Sequence, residues 1–147
     1  MLPLLDFVPD LQTLTSTFSQ AAAPTFFLGA VAAFVSLMST RLSTVVERIK
    51  TLNSIAEDDP ARVHLKTDVE RLRRRARYLN SGISAALRAG MCATALIAIL
   101  FVSQLAGLKY AYGAGMIFIV ATALLGFALF RFSQEARLGL DEADEYH

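Results

Sequence analysis

Apolar residues fall into two long alternations in the first two thirds of the chain. Leu28, Val31, Val35, Met38, Leu42, Val45, Ile49 and Leu52 are spaced three and four apart, and so are Leu65, Val69, Leu72, Ala76, Leu79, Ile83, Ala86 and Gly90. Spacing of this kind puts one apolar stripe on one helical face, and its persistence over several heptads is a coiled-coil signature. Glu57-Asp58-Asp59-Pro60 separates the two stripes and reads as a turn. Asp59 can cap the second helix, with Pro60 at its first position. The two seams therefore predict an antiparallel helical hairpin, its first helix running from about Pro24 to Ile55.

Three uncharged stretches overlap or follow these seams: Ala21 to Met38, Ala89 to Leu108 and Tyr110 to Phe130. About 20 apolar residues cross the ~30 Å hydrocarbon layer as a helix. The predicted fold class is an all-α integral membrane protein with three transmembrane helices. Spans one and two extend into the hairpin. The chain divides into an outer-surface amphipathic segment (1–20), span one (21–40), the hairpin (41–80), span two (81–108), span three (110–132) and a tail (133–147). In the first segment Leu4, Phe7, Val8, Leu11, Leu14 and Phe18 form one stripe, suited to a short helix on the membrane surface. Pro9 argues against one unbroken helix there, and Pro24 is placed at the start of span one, where it is harmless. No Lys or Arg precedes the first uncharged stretch, so it is expected to be a span and not a cleaved signal peptide.

Charge sets the orientation. The net charge is only +1, but ten Lys and Arg residues lie between Thr40 and Arg77, against Lys109 alone between spans two and three. Basic loops stay in the cytoplasm, which predicts an outer N-terminus, a cytoplasmic hairpin and a cytoplasmic C-terminus in a bacterial inner membrane. The densest part is Arg71, Arg73, Arg74, Arg75 and Arg77, read as a basic anchor for anionic headgroups. Its interleaving with a helical seam beside a span argues against nucleic acid as the partner.

The composition is 54% hydrophobic with a mean hydropathy of +0.47, which a soluble domain of 147 residues would not carry. Catalysis and cofactors find no support. His64 and His147 lack a ligand set, Cys92 lies inside an apolar run, and no nucleophile–base pair or glycine-rich phosphate loop occurs. The chain is expected to be neither an enzyme nor a cofactor carrier.

Some polar residues stand inside or beside the spans. Arg88 is the only charge within a plausible span, so it is a functional candidate by default. It either snorkels to the headgroups or pairs, with Glu135 as first partner. Ser36, Ser39 and Thr40 share a face of span one, with Arg41 following, and are candidate pore-lining residues; hydroxyls in a span also commonly bond their own backbone. Small residues recur as Gly82, Ala86, Gly90, Thr94 and Ala98, as Gly29 and Ala33, and as Thr122 and Gly126. Such ridges let membrane helices approach closely.

Ala23-Pro24-Thr25-Phe26-Phe27-Leu28, Arg41-Leu42-Ser43-Thr44-Val45-Val46-Glu47-Arg48-Ile49-Lys50-Thr51-Leu52, Leu72-Arg73-Arg74-Arg75-Ala76-Arg77-Tyr78-Leu79 and Phe132-Ser133-Gln134-Glu135-Ala136 follow one another in order. This succession resembles a family of short, three-span bacterial inner-membrane proteins known only as a domain of unknown function. The resemblance covers about Ala21 to Arg137. It implies the topology and the location and supplies no activity. Two functional readings follow from the residues. One is a subunit of a cyclic homo-oligomeric pore for ions or small solutes. The other is a non-catalytic scaffold or regulatory subunit whose hairpin docks a partner. The pore is favoured at this stage, because nearly the whole chain is spent on membrane and hairpin helices.

Overall fold

The computed structural model describes residues 11–108 and 111–145. They form three long helices, α1 (Leu11–Asn53), α2 (Asp68–Leu105) and α3 (Ala111–Glu145), with a short 3-10 segment at Val63–Thr67. All three are long and apolar enough to cross a membrane. At ~1.5 Å per residue they run from roughly 50 to 65 Å, well beyond the ~30 Å hydrocarbon layer.

The seven-residue spacing governs what is buried. On α1 the buried positions include Thr17, Pro24, Val31, Met38, Val45 and Leu52. Helix α2 carries two such rows. Leu72 and Leu79 pack with Met38, Val45, Leu52 and Val69 of the first cluster, while Leu42, Ile49, Leu65, Ala76 and Ile83 flank it half-buried. Gly82, Ala89 and Leu96 form the second row. It faces α3, where Ala121, Ala128 and Glu135 are fully buried, again seven apart. Helix α2 is thus the shared partner of the other two. Helices α1 and α3 touch each other chiefly through ring pairs, Phe27 with Phe118 at 5.8 Å and Phe34 with Phe132 at 5.6 Å between centroids.

At Gly82, α2 faces both α1 and α3. A Cβ there would overlap Met38 Cε and lie 3.3 Å from the Ala128 carbonyl oxygen. A side chain there requires the flexible end of Met38 to move aside and presses on the Ala128 backbone.

Helix α2 ends at Leu105, and Gly107, two residues beyond, has a φ of +64° that suits a glycine. The Leu108 amide donates to Ser103 O at 2.9 Å and the Gly107 amide to Gln104 O at 3.3 Å. This is the double hydrogen bond of a Schellman cap, which satisfies the last carbonyls and stops the helix.

Three expectations need correction. The first helix does not begin near Pro24. It is continuous from Leu11, with Pro24 inside it and buried. A proline there leaves the Gln20 carbonyl without its helical donor. Membrane helices tolerate this where neighbouring groups and helices support the backbone. Here Leu96, Leu100, Ala114 and Phe118 surround the Pro24 turn with Gln20 and Ala23, and the Thr25 hydroxyl donates to Ala21 O at 2.7 Å. The remainder of the proposed surface segment, Leu4, Phe7 and Val8 included, lies outside the described residues. Second, Asp59 does not open α2. Its carboxylate accepts the Ala61 amide at 3.1 Å within a turn, and the α-helix starts nine residues later at Asp68. Asp68 and Glu70 in the first turn complement the positive end of the helix. Third, residues 133–145 are not a separate tail, because α3 continues through them.

Candidate functional site

The seam between α2 and α3 changes character along its length. Toward the middle of the apolar stretch it is Gly82 and Ala89 against Ala128 and Ala121. One heptad toward the hairpin, the same two rows present Arg75 and Glu135. Glu135 is fully buried. Arg75 donates to Glu135 Oε1 from Nε at 3.1 Å and from Nη2 at 2.8 Å. Arg41 of α1 brings Nη1 to 3.1 Å from Oε2. That second contact is an ion pair without hydrogen-bond alignment, since Oε2 accepts no hydrogen bond. The Arg41 guanidinium also lies 5.2 Å from the Phe132 ring centroid. One carboxylate therefore joins all three helices where the hairpin meets the spans.

Two cations share one buried carboxylate. The burial is uneven: the side chain of Arg75 is 15% exposed and that of Arg41 38%. Arg75 is the inner partner and Arg41 the outer one, where water weakens the attraction.

Arg88 does not pair with Glu135, which corrects the partner inferred from the sequence. It lies thirteen residues beyond Arg75 on the same helix, ~20 Å farther along the axis. No arginine side chain spans that distance. Arg88 is exposed on the outer surface of the bundle.

The other sequence candidates divide. Ser36, Ser39 and Thr40 are exposed and share an outward face of α1. The Thr40 hydroxyl donates to Ser36 O at 3.0 Å, so it serves its own helix. Arg41 does not join them, being turned toward α3. Within the basic anchor, Arg75 faces Glu135, while Arg73 and Arg77 flank Glu70 at 3.9 and 3.3 Å. Arg74 lies 5.9 Å from the Tyr78 ring, and Arg71 is half-buried. Among the small residues, Gly82 and Ala86 pack inside the subunit, whereas Thr94 and Ala98 line an outward apolar groove with Leu28, Val31 and Val35. A four-residue step advances 400° around a helix with 3.6 residues per turn, so such a ridge rotates from the core to the surface. Gly29 and Gly126 meet nothing within 4 Å of an added Cβ.

Sequence reasoning did not find Arg75 and Arg41 as the partners of Glu135. The available signal was the seven-residue row Arg75, Gly82, Ala89, Leu96 facing the row Ala121, Ala128, Glu135. Among the described residues, no group of three or more His, Cys, Asp or Glu side chains is placed to hold a metal ion.

Comparison with curated proteins and with solved structures gives no match. Residues 21–144 match a family described as "Protein of unknown function (DUF2721)", and the chain, with its three span-length helices, belongs to that family.

Proposed function

We propose that the chain is a non-catalytic, multi-pass subunit of the bacterial inner membrane, whose hairpin projects into the cytoplasm and presents a rigid surface to a partner protein. The observation that carries this reading is the Arg75–Glu135–Arg41 cluster. It ties α1, α2 and α3 together at the base of the hairpin. Helices α1 and α2 run unbroken from spans to hairpin, so a displacement at one end is passed to the other. The cytoplasmic placement rests on the ten-to-one excess of basic residues in the hairpin loop.

This reverses the preference for a pore. A pore with Arg41 at its mouth needs that side chain free on the Ser36 face, and here it is committed to Glu135 and Phe132. One observation still favours a channel in an oligomer: Ser36, Ser39 and Thr40 remain on an open face, and Gly29 and Gly126 leave further surfaces for close helix contact. Ion flux into liposomes containing only this protein separates the two. The scaffold reading expects flux no greater than empty liposomes. Flux that changes with Ser36→Leu or Thr40→Leu would overturn it.

A further inference from the structure

A second group of arginines gathers beside the Glu135 cluster. Arg74, Arg77, Tyr78 and Ser81 of α2 and Arg131 of α3 line a cavity of about 380 Å³ on the outer side of the α2–α3 seam. Among the described residues, no Asp or Glu lines it. The Arg131 guanidinium is held between two rings, 4.9 Å from the Phe127 centroid and 5.5 Å from that of Tyr78. Its Nη1 donates to Gln134 Oε1 at 3.2 Å, while its Nε is buried and has no acceptor. A buried donor without an acceptor costs free energy, which marks the Arg131 guanidinium as under-satisfied. Arg77 reaches Glu70 at 3.3 Å, but both side chains are more than 70% exposed, so water screens that contact and it does not commit the guanidinium.

Depth identifies the anion. Arg131 directly follows the uncharged run that ends at Phe130, and α2 carries no charge between Arg77 and Arg88. The cavity therefore sits at the edge of the apolar layer, the level of lipid phosphates. Guanidinium forks match phosphate oxygens, and the Tyr78 and Ser81 hydroxyls add two neutral donors. Phe127 and Phe130, both exposed just beyond, offer an apolar surface for acyl chains.

We propose that Arg74, Arg77, Tyr78, Ser81 and Arg131 form a binding site for a phosphate group, supplied by an anionic phospholipid of the leaflet on the hairpin side. The site shares no residue with the Arg75–Glu135–Arg41 cluster.

The test uses the full chain in detergent micelles, with bound lipid counted by native mass spectrometry and thermal stability followed on titration. The probes are phosphatidylglycerol, phosphatidylcholine and inorganic phosphate. Phosphatidylglycerol should be retained and stabilising, phosphatidylcholine far less so. Each arginine removed by Arg74→Gln, Arg77→Gln or Arg131→Gln should weaken phosphatidylglycerol roughly fivefold. Because Arg131 is stacked in place, the Arg74→Gln/Arg77→Gln double variant, altering two exposed side chains, keeps the test readable if Arg131→Gln fails to fold. Arg62→Gln, at the hairpin turn, should change nothing. Equal retention of the two lipids, or undiminished phosphatidylglycerol binding in the double variant, overturns the site. Inorganic phosphate that stabilises to the same extent and displaces the lipid overturns the lipid as its source.

Discussion

The two seams of α2 follow the same seven-residue rule with opposite materials. Toward α1, in the hairpin, the seam is filled by Leu52, Val69, Leu72, Leu79 and Val45. Toward α3, along the spans, it is filled by Gly82, Ala89, Ala121 and Ala128. The difference follows the solvent. Outside the membrane, removing large apolar side chains from water drives association, at ~25 cal/mol per Å². Inside it, lipid tails are as apolar as leucine, so helices gain from close backbone approach. Where the α3 seam leaves the spans it becomes neither large nor small but ionic, at Arg75 and Glu135.

The largest effect should come from that ionic position. Glu135→Ala leaves two guanidinium groups without their carboxylate and should cost about 3–5 kcal/mol. Arg75→Ala should approach that value, Arg41→Ala should fall well below it, and the Arg75→Ala/Glu135→Ala pair should lose less than the sum. Unfolding in mixed micelles measures all four; strict additivity would show that the contact carries no coupling.

This position also shows how far the sequence could be read. The α1–α2 seam was legible residue by residue, because alternation of three and four survives whatever surrounds it. Glu135 was legible only as the nearest acidic partner for Arg88. Its partner was not, because depth was judged from the ends of apolar runs, whereas pairing is set by the register of two facing rows. The same cause hid the inward end of the Gly82 ridge. Pro24 was misplaced for another reason: its missing amide argues for a helix start only when no neighbouring helix packs against the turn.

Next in size is the hairpin seam. Leu72→Ala should destabilise by about 3 kcal/mol, within the usual range for a buried leucine. A loss under about 1 kcal/mol in the same unfolding measurement would mean that burial does not hold the hairpin together.

The seam of small residues should respond to added volume. Gly82→Val places atoms against Met38 and the Ala128 carbonyl and should cost about 1–3 kcal/mol. Gly82→Ala should cost less, since the flexible end of Met38 can move aside. Gly29→Val, with open space around it, should stay within about 0.5 kcal/mol in the isolated subunit. If the full-length protein is oligomeric and Gly29→Val shifts its mass in mild detergent, that face is a contact between subunits.

The smallest effect belongs to Thr40, whose hydroxyl serves only Ser36 O. Thr40→Val should change stability by no more than about 0.5 kcal/mol.

The order of synthesis gives the Glu135 cluster a further meaning. Arg41 and Arg75 leave the ribosome well before their carboxylate, which follows Arg75 by sixty residues. Until α3 has been made and inserted, Arg41 and Arg75 lack the Glu135 carboxylate that joins them. The join among the three helices can close only on a chain that has acquired its last span. A truncated product, ending after α2, would carry the open form permanently and expose it to proteolytic removal.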